Sequence, residues 1–139
     1  MSHTFIETSV EIEAPASTVW GMFTDPAFTK QMGGEYVSNW KVGSPLKWLN
    51  SAGQILTNGT ILKIEPNKIL QHSLFSNPES LSVMAILTYK LVGSGDRTTV
   101  RIREDFTNSI TEEERVDFIQ GWNVALRAAK EVGEKINNN

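Results

Sequence analysis

Apolar and polar residues alternate without a break through FIETSVEIE at 5–13. Ile6, Thr8, Val10 and Ile12 fall on one side, and Glu7, Ser9, Glu11 and Glu13 on the other. A period of two marks a strand with one dry face and one wet face. The period changes in APASTVWGMFTD at 14–25, where Val19, Trp20 and Phe23 recur at helical spacing behind Pro15. Proline suits the first turn of a helix. Asp25-Pro26 breaks the pattern, and 26–32 leaves room for one more short helical piece, so one or two short helices are expected after the first strand. Gly33-Gly34 then punctuates the chain.

From 35 to 106 every signal is strand or turn. Segments 35–41 and 45–50 are joined through Val42-Gly43-Ser44, and 54–65 follows a turn at Gly53. Gly59 inside that strand suggests a bulge or a close backbone approach. Pro66-Asn67-Lys68 turns the chain into ILQHSLF at 69–75, and Asn77-Pro78 turns it into LSVMAILTYKL at 81–91. The turn GSGD at 93–96 leads to RTTVRIREDF at 97–106 and is a hairpin signal. In the last two strands Leu81, Val83, Ala85, Leu87, Tyr89 and Leu91 share a face, as do Thr98, Val100, Ile102, Glu104 and Phe106. Such a sheet is dry on one side and needs a cover.

The cover is the C-terminal segment. Thr111 followed by Glu114 has the spacing of a capping box. Ile119, Trp122, Leu126, Ala129, Val132 and Ile136 then recur at three- and four-residue steps. The resulting helix is about 40 Å long, enough to cross the sheet. The expected fold class is α+β: a curved antiparallel sheet of six to seven strands wrapped on a long C-terminal helix. Residues 1–139 read as one such domain, with 137–139 a polar tail.

Those segments, taken together, resemble a known family. APASTVWGMFTDP at 14–26, SNWKVGS at 38–44, GTILKIEPNKIL at 59–70, the glycine-rich turn before RTTVRI at 97–102, and Gly121-Trp122 in the closing helix carry the likeness. They are similar to the START-like, helix-grip proteins of the SRPBCC superfamily, in the group named for the activator of the heat-shock chaperone ATPase. The resemblance implies an apolar cavity between sheet and long helix, as in lipid and hormone carriers and in polyketide cyclases. This chain departs from the pattern at His72 and Leu74, where relatives often carry aromatics. A chaperone partner is not expected, because the two-domain activator's docking domain has no counterpart here.

Composition narrows the picture further. A formal charge of −3 argues against a nucleic-acid partner. The absence of an 18-residue apolar run argues against a membrane span, and the acidic, alternating N-terminus against a secretory leader. With no cysteine and two histidines, neither a disulfide framework nor a usual zinc site is expected, and no cofactor is called for. A cytoplasmic location is expected; a homodimer is permitted.

The candidate chemistry lies on the face expected to be dry. Trp40 and Trp48 on adjacent strands, and Trp122 on the closing helix, read either as the lining of a ligand cavity or as core packing. His72 shares a face with Leu70 and Leu74, as a ligand contact or as a core histidine met by a carbonyl. Glu104 interrupts an apolar series and calls for water, a cation or a raised pKa. Met84 is added as an adaptable gap-filler, with Phe106 and Phe118 completing the wall. The expected function is binding of a small, largely apolar or aromatic molecule, lipid-, sterol- or polyketide-like, and not catalysis. The alternatives are a cyclase- or aromatase-like enzyme with His72 as acid–base, Glu104 its partner, and a chaperone-associated adaptor.

Overall fold

A computed structural model describes residues 2–76 and 82–138. The turn expected at Asn77-Pro78, the inward place of Leu81, and Asn139 lie outside the described residues. Strand β1 (Ser2–Ile12) leads into three four-residue helices, α1 (Ala16–Val19), α2 (Gly21–Thr24) and α3 (Pro26–Thr29), and a 3₁₀ turn at Lys30–Met32. Asp25 separates α2 from α3, and its carboxylate accepts from Ala27 N at 2.9 Å, which caps the helix that Pro26 starts. Six strands follow: β2 (Gly34–Ser38), β3 (Pro45–Asn50), β4 (Ile55–Glu65), β5 (Ile69–Phe75), β6 (Val83–Ser94) and β7 (Arg97–Thr111). Helix α4 (Glu112–Asn137) closes the described chain.

The seven strands form one antiparallel sheet in the order β1-β7-β6-β5-β4-β3-β2. Successive hairpins build β2 to β7, and β1 then pairs with β7. This is the helix grip. The concave face carries Ile6, Ile12, Val100, Ile102, Leu87, Tyr89 and Leu70, all buried. Onto it α4 presents Leu126, Ala129 and Val132, buried as their spacing predicts, with Trp122 and Ile136 half-buried beside them. The capping box is present: Thr111 Oγ1 accepts from Glu114 N at 3.1 Å, and Glu114 Oε1 from Thr111 N at 3.0 Å.

Two strand ends differ from expectation. Strand β2 stops at Ser38, short of residue 41, because Trp40 turns into the left-handed region (φ 57°) and its N–H bonds Ser38 Oγ at 3.1 Å. Such a conformation is strained for a bulky side chain and incompatible with an extended strand. Strand β7 runs on past Phe106 to Thr111, because β1 begins early enough to pair Ser2 with Thr111 and His3 with Ile110.

Strand β4 divides its loyalties. Its first half, Ile55–Thr60, pairs with β3, and its second half, Ile61–Glu65, with β5. The sheet therefore bends at Gly59–Ile61, and the concave face opens between the β3–β4 hairpin and α4.

Candidate functional site

The opening holds a cavity of about 330 Å³. Strands β5 and β6 supply its floor: His72, Leu87 and Tyr89 are all buried. Helix α4 supplies one wall with Trp122, Ala125, Leu126 and Ala128, and the short helical region adds Met22 and Met32. Tyr36, Trp48 and Thr57, from β2, β3 and β4, form the opposite wall. Thr57 and Ala125 are exposed and mark the rim. No lining side chain carries a formal charge. A depression of about 550 Å³ on the convex face is different in kind, since Lys63, Lys90, Arg101 and Asp105 line it in open water.

Room exists here for identifiable reasons. Ala125 and Ala128 are the smallest chiral side chains, on the flank of α4 that faces away from β1. Across from them Trp48 lies close over Gly34 of the neighbouring strand. A Cβ at Gly34 would come 2.8 Å from the indole and 2.2 Å from Leu49 O, so only glycine admits this approach.

His72 is 4% exposed. Its Nδ1 lies 2.9 Å from the carbonyl oxygen of Ser73. A carbonyl only accepts, so Nδ1 carries the hydrogen and Nε2 is left as a bare acceptor. Nε2 has no partner among the described residues. Gly59 is part of this arrangement, because a Cβ there would sit 1.7 Å from Ser73 O. The close backbone approach that this glycine suggests in sequence is thus to the very carbonyl that sets the imidazole's tautomer. Burial holds the imidazole below its ordinary pKa of 6.5, and the Ser73 carbonyl offsets this only in part. It is a neutral base.

The aromatic rings form a continuous set around the floor. His72 stacks on Tyr89 (6.0 Å between centroids, 23°), and Tyr89 meets Trp122 (5.9 Å) and Phe23 (4.8 Å) edge-on. Tyr36 packs edge-on against Trp48 at 4.7 Å. Burial raises the pKa values of Tyr36 and Tyr89, that of Tyr89 well above the ordinary 10.0, with the neighbouring Tyr36 adding to the rise at Tyr89 and Tyr89 offsetting it in part at Tyr36.

Glu104 is buried, 3% exposed, and accepts from Trp122 Nε1 at 2.9 Å. Burial raises its pKa, with the indole N–H pulling the other way. Register places His72 opposite Leu87 and Leu87 opposite Glu104. Two strand spacings separate them, roughly 10 Å. The acid–base pair envisaged in the sequence does not form; the carboxylate instead anchors Trp122.

Of the eight residues expected to line the cavity, Trp48, His72 and Trp122 do so, with Glu104 behind Trp122. Trp40 does not. Its left-handed backbone takes it off the strand, and its ring packs edge-on to Tyr36 at 6.4 Å, outside the wall. Met84 is 40% exposed, on the convex side its alternation implied. Phe106 and Phe118 pack on each other at 4.9 Å between centroids, near the end of β7 and start of α4, away from the cavity. Tyr89 carried a signal, as a polar-tipped ring in the apolar series of β6. Ala125 and Ala128 carried none, because a small residue beside a void and one in solvent look alike in sequence.

The sequence matches the family described as Activator of Hsp90 ATPase homolog 1-like protein over residues 13–134. The chain belongs to this family. Among solved structures, this member of the Hsp90-ATPase-activator-like family is similar to ChR145 from Cytophaga hutchinsonii. The two are 27% identical, with TM-score 0.77 and 100% of this chain and 99% of that one covered. The Aha1 dimer from Colwellia psychrerythraea is 20% identical, with TM-score 0.73 and 94% and 96% covered. DynU16, from the dynemicin biosynthetic locus, is 16% identical with TM-score 0.74; 92% of this chain is covered, spanning 46% of DynU16. The latter two show likeness of fold. No curated protein matches the sequence. Among the described residues, no helix is long and apolar enough to cross a membrane.

Proposed function

We propose that this protein binds a small, uncharged, largely apolar or aromatic molecule in the cavity between the sheet and α4, without turning it over. One observation carries the reading: about 330 Å³ of space lined mostly by apolar and aromatic side chains and free of formal charge, between the sheet and α4. Sites for small ligands have this character, concave and apolar with a few placed polar groups. Packing to ordinary interior density would leave no such space. The connection of DynU16 to a biosynthetic locus points toward small molecules as well. An enzymatic reading needs a second group beside His72, and the carboxylate that the sequence offers for that role, Glu104, is held by Trp122.

Trp48 and Trp122 line the cavity and report its occupancy. Flavonoid-, sterol- or polyketide-like compounds are expected to quench tryptophan fluorescence saturably. Ala128→Phe, which fills the space from the helix side, is expected to weaken binding about tenfold or more while leaving the fold intact by circular dichroism. Native mass spectrometry of freshly purified protein should show a bound molecule absent from the Ala128→Phe variant. If no such compound binds the folded protein saturably, the reading is wrong.

A further inference from the structure

Of the α4 side chains that line the cavity Trp122 is the largest, and the packing of the helix does little to fix it. The buried residues that seat α4 on the sheet, Leu126, Ala129, Val132 and Gly133, all lie C-terminal to it. There the helix is also tied to β1, by Lys130 Nζ to Glu11 O at 3.0 Å and by Glu13 N to Glu134 Oε2 at 2.8 Å. Between Glu112 and Ala125 no residue of the helix is buried. Gly121, immediately before Trp122, is a poor helix former in mid-helix, and a Cβ there would meet nothing within 4 Å, so no contact calls for glycine. The first half of α4 is thus held by individual side chains. Phe118 packs on Phe106, and Asn123 Oδ1 accepts from Thr8 Oγ1 at 2.7 Å. The Trp122 ring meets Tyr89 edge-on, and its N–H is given to Glu104 Oε1 at 2.9 Å.

Glu104 is 3% exposed and is not part of the cavity lining, so it stands behind the indole and touches no ligand itself. A carboxylate in an apolar series is costly to bury, and the hydrogen bond that it accepts is of the stronger, charge-assisted kind. We propose, on the binding function given above, that Glu104 is a positioning residue of the site: its carboxylate holds the Trp122 indole as the helix-side wall of the cavity and so fixes the room left for an apolar ligand. Once that acceptor is gone, the N–H of the half-buried Trp122 is free to turn toward water, and the wall moves with it.

The test compares the whole chain near neutral pH with Glu104→Gln, Glu104→Leu, Trp122→Phe, and the last two combined. The uncharged apolar dye N-phenylnaphthylamine reports binding by its fluorescence. The Nε1–H resonance of Trp122, identified in a nitrogen–proton correlation spectrum by its loss in Trp122→Phe, reports the anchor with no ligand present. Both Glu104 variants remove a buried charge and are expected to remain folded by urea denaturation. Glu104→Gln, which keeps an acceptor, is expected to bind the dye within about threefold of the parent chain. Glu104→Leu, which has none, is expected to bind it about tenfold more weakly and to exchange its indole hydrogen with water faster. Trp122→Phe, which lacks the N–H, should weaken the dye to a similar degree. In that background Glu104→Leu should change affinity by less than about twofold, because its effect passes through the indole. Unaltered dye affinity in Glu104→Leu would overturn the positioning role and leave the cavity's binding function standing. So would an indole hydrogen exchanging no faster in Glu104→Leu than in the parent, a Glu104→Gln variant as weak as Glu104→Leu, or an undiminished effect of Glu104→Leu in the Trp122→Phe background. Should the dye bind none of these proteins, the parent chain included, the binding function fails and this inference with it.

Discussion

Single side chains here are set by partners far along the chain. Glu104 stands out in the sequence as a carboxylate in an apolar series, and what makes it tolerable, the Trp122 indole N–H at 2.9 Å, comes from a different element. His72 stands out equally, and its tautomer depends on Ser73 O and on the bare Cα of Gly59. Thr29 is the other buried side chain whose polar atom has no partner among the described residues, but it lies in α3 outside the cavity lining. Replacing it with the isosteric valine removes an unmet hydroxyl and loses nothing. Thr29→Val is therefore expected to raise stability by about 1 kcal/mol, measured by urea denaturation. A loss of stability would mean that the hydroxyl has a partner, such as a bound water.

At the scale of elements, alternation and helical spacing locate β1, the meander and α4 closely. Their ends are less legible. Strand β2 ends three residues early because Trp40 takes a positive φ, and nothing local announces that conformation for a tryptophan. Strand β7 continues because β1 reaches it, a matter of pairing partner and not of composition. The start of α4 is a local event, and both hydrogen bonds of its capping box are made. Thr111→Ala is expected to cost about 1 kcal/mol, with Thr111→Ser nearly neutral by chemical denaturation. Equal losses in the two variants would show that the methyl group, and not the cap, matters at that position.

For the molecule as a whole, two buried titratable groups, His72 and Glu104, pull stability in opposite directions as pH falls. The folded-state pKa of His72 is lowered, so below pH 6.5 the unfolded chain takes up a proton that the folded one refuses. Stability from this source is complete above 6.5 and is lost on acidification, by at most about 1.4 kcal/mol per pH unit. The folded-state pKa of Glu104 is raised, so the folded chain takes up its proton first. Acidification from that raised value toward 4.5 therefore adds stability, and at neutral pH the buried carboxylate is a net cost. Glu104→Gln keeps an acceptor for Trp122 and removes the charge. It is expected to stabilise the protein at pH 7 by about 1 kcal/mol, with the advantage shrinking as pH approaches 4.5. Denaturation series across pH 4–8 check this, and a constant advantage at all pH values would place the Glu104 pKa at its ordinary level.

The order of elements, the dry face of the sheet and the inward stripe of α4 were decided by local periodicity, because burial on one side of a strand or helix imprints its own period on the chain. The likeness to the helix-grip family was legible for the same reason, being a succession of such patterns. Whether space remains between sheet and helix was not legible. It depends on where β4 changes partners, on how α4 lies against β1, and on two alanines whose sequence signal is the same whether they face solvent, a neighbour or a void. A cavity is a property of how elements miss each other, and that is settled when they pack.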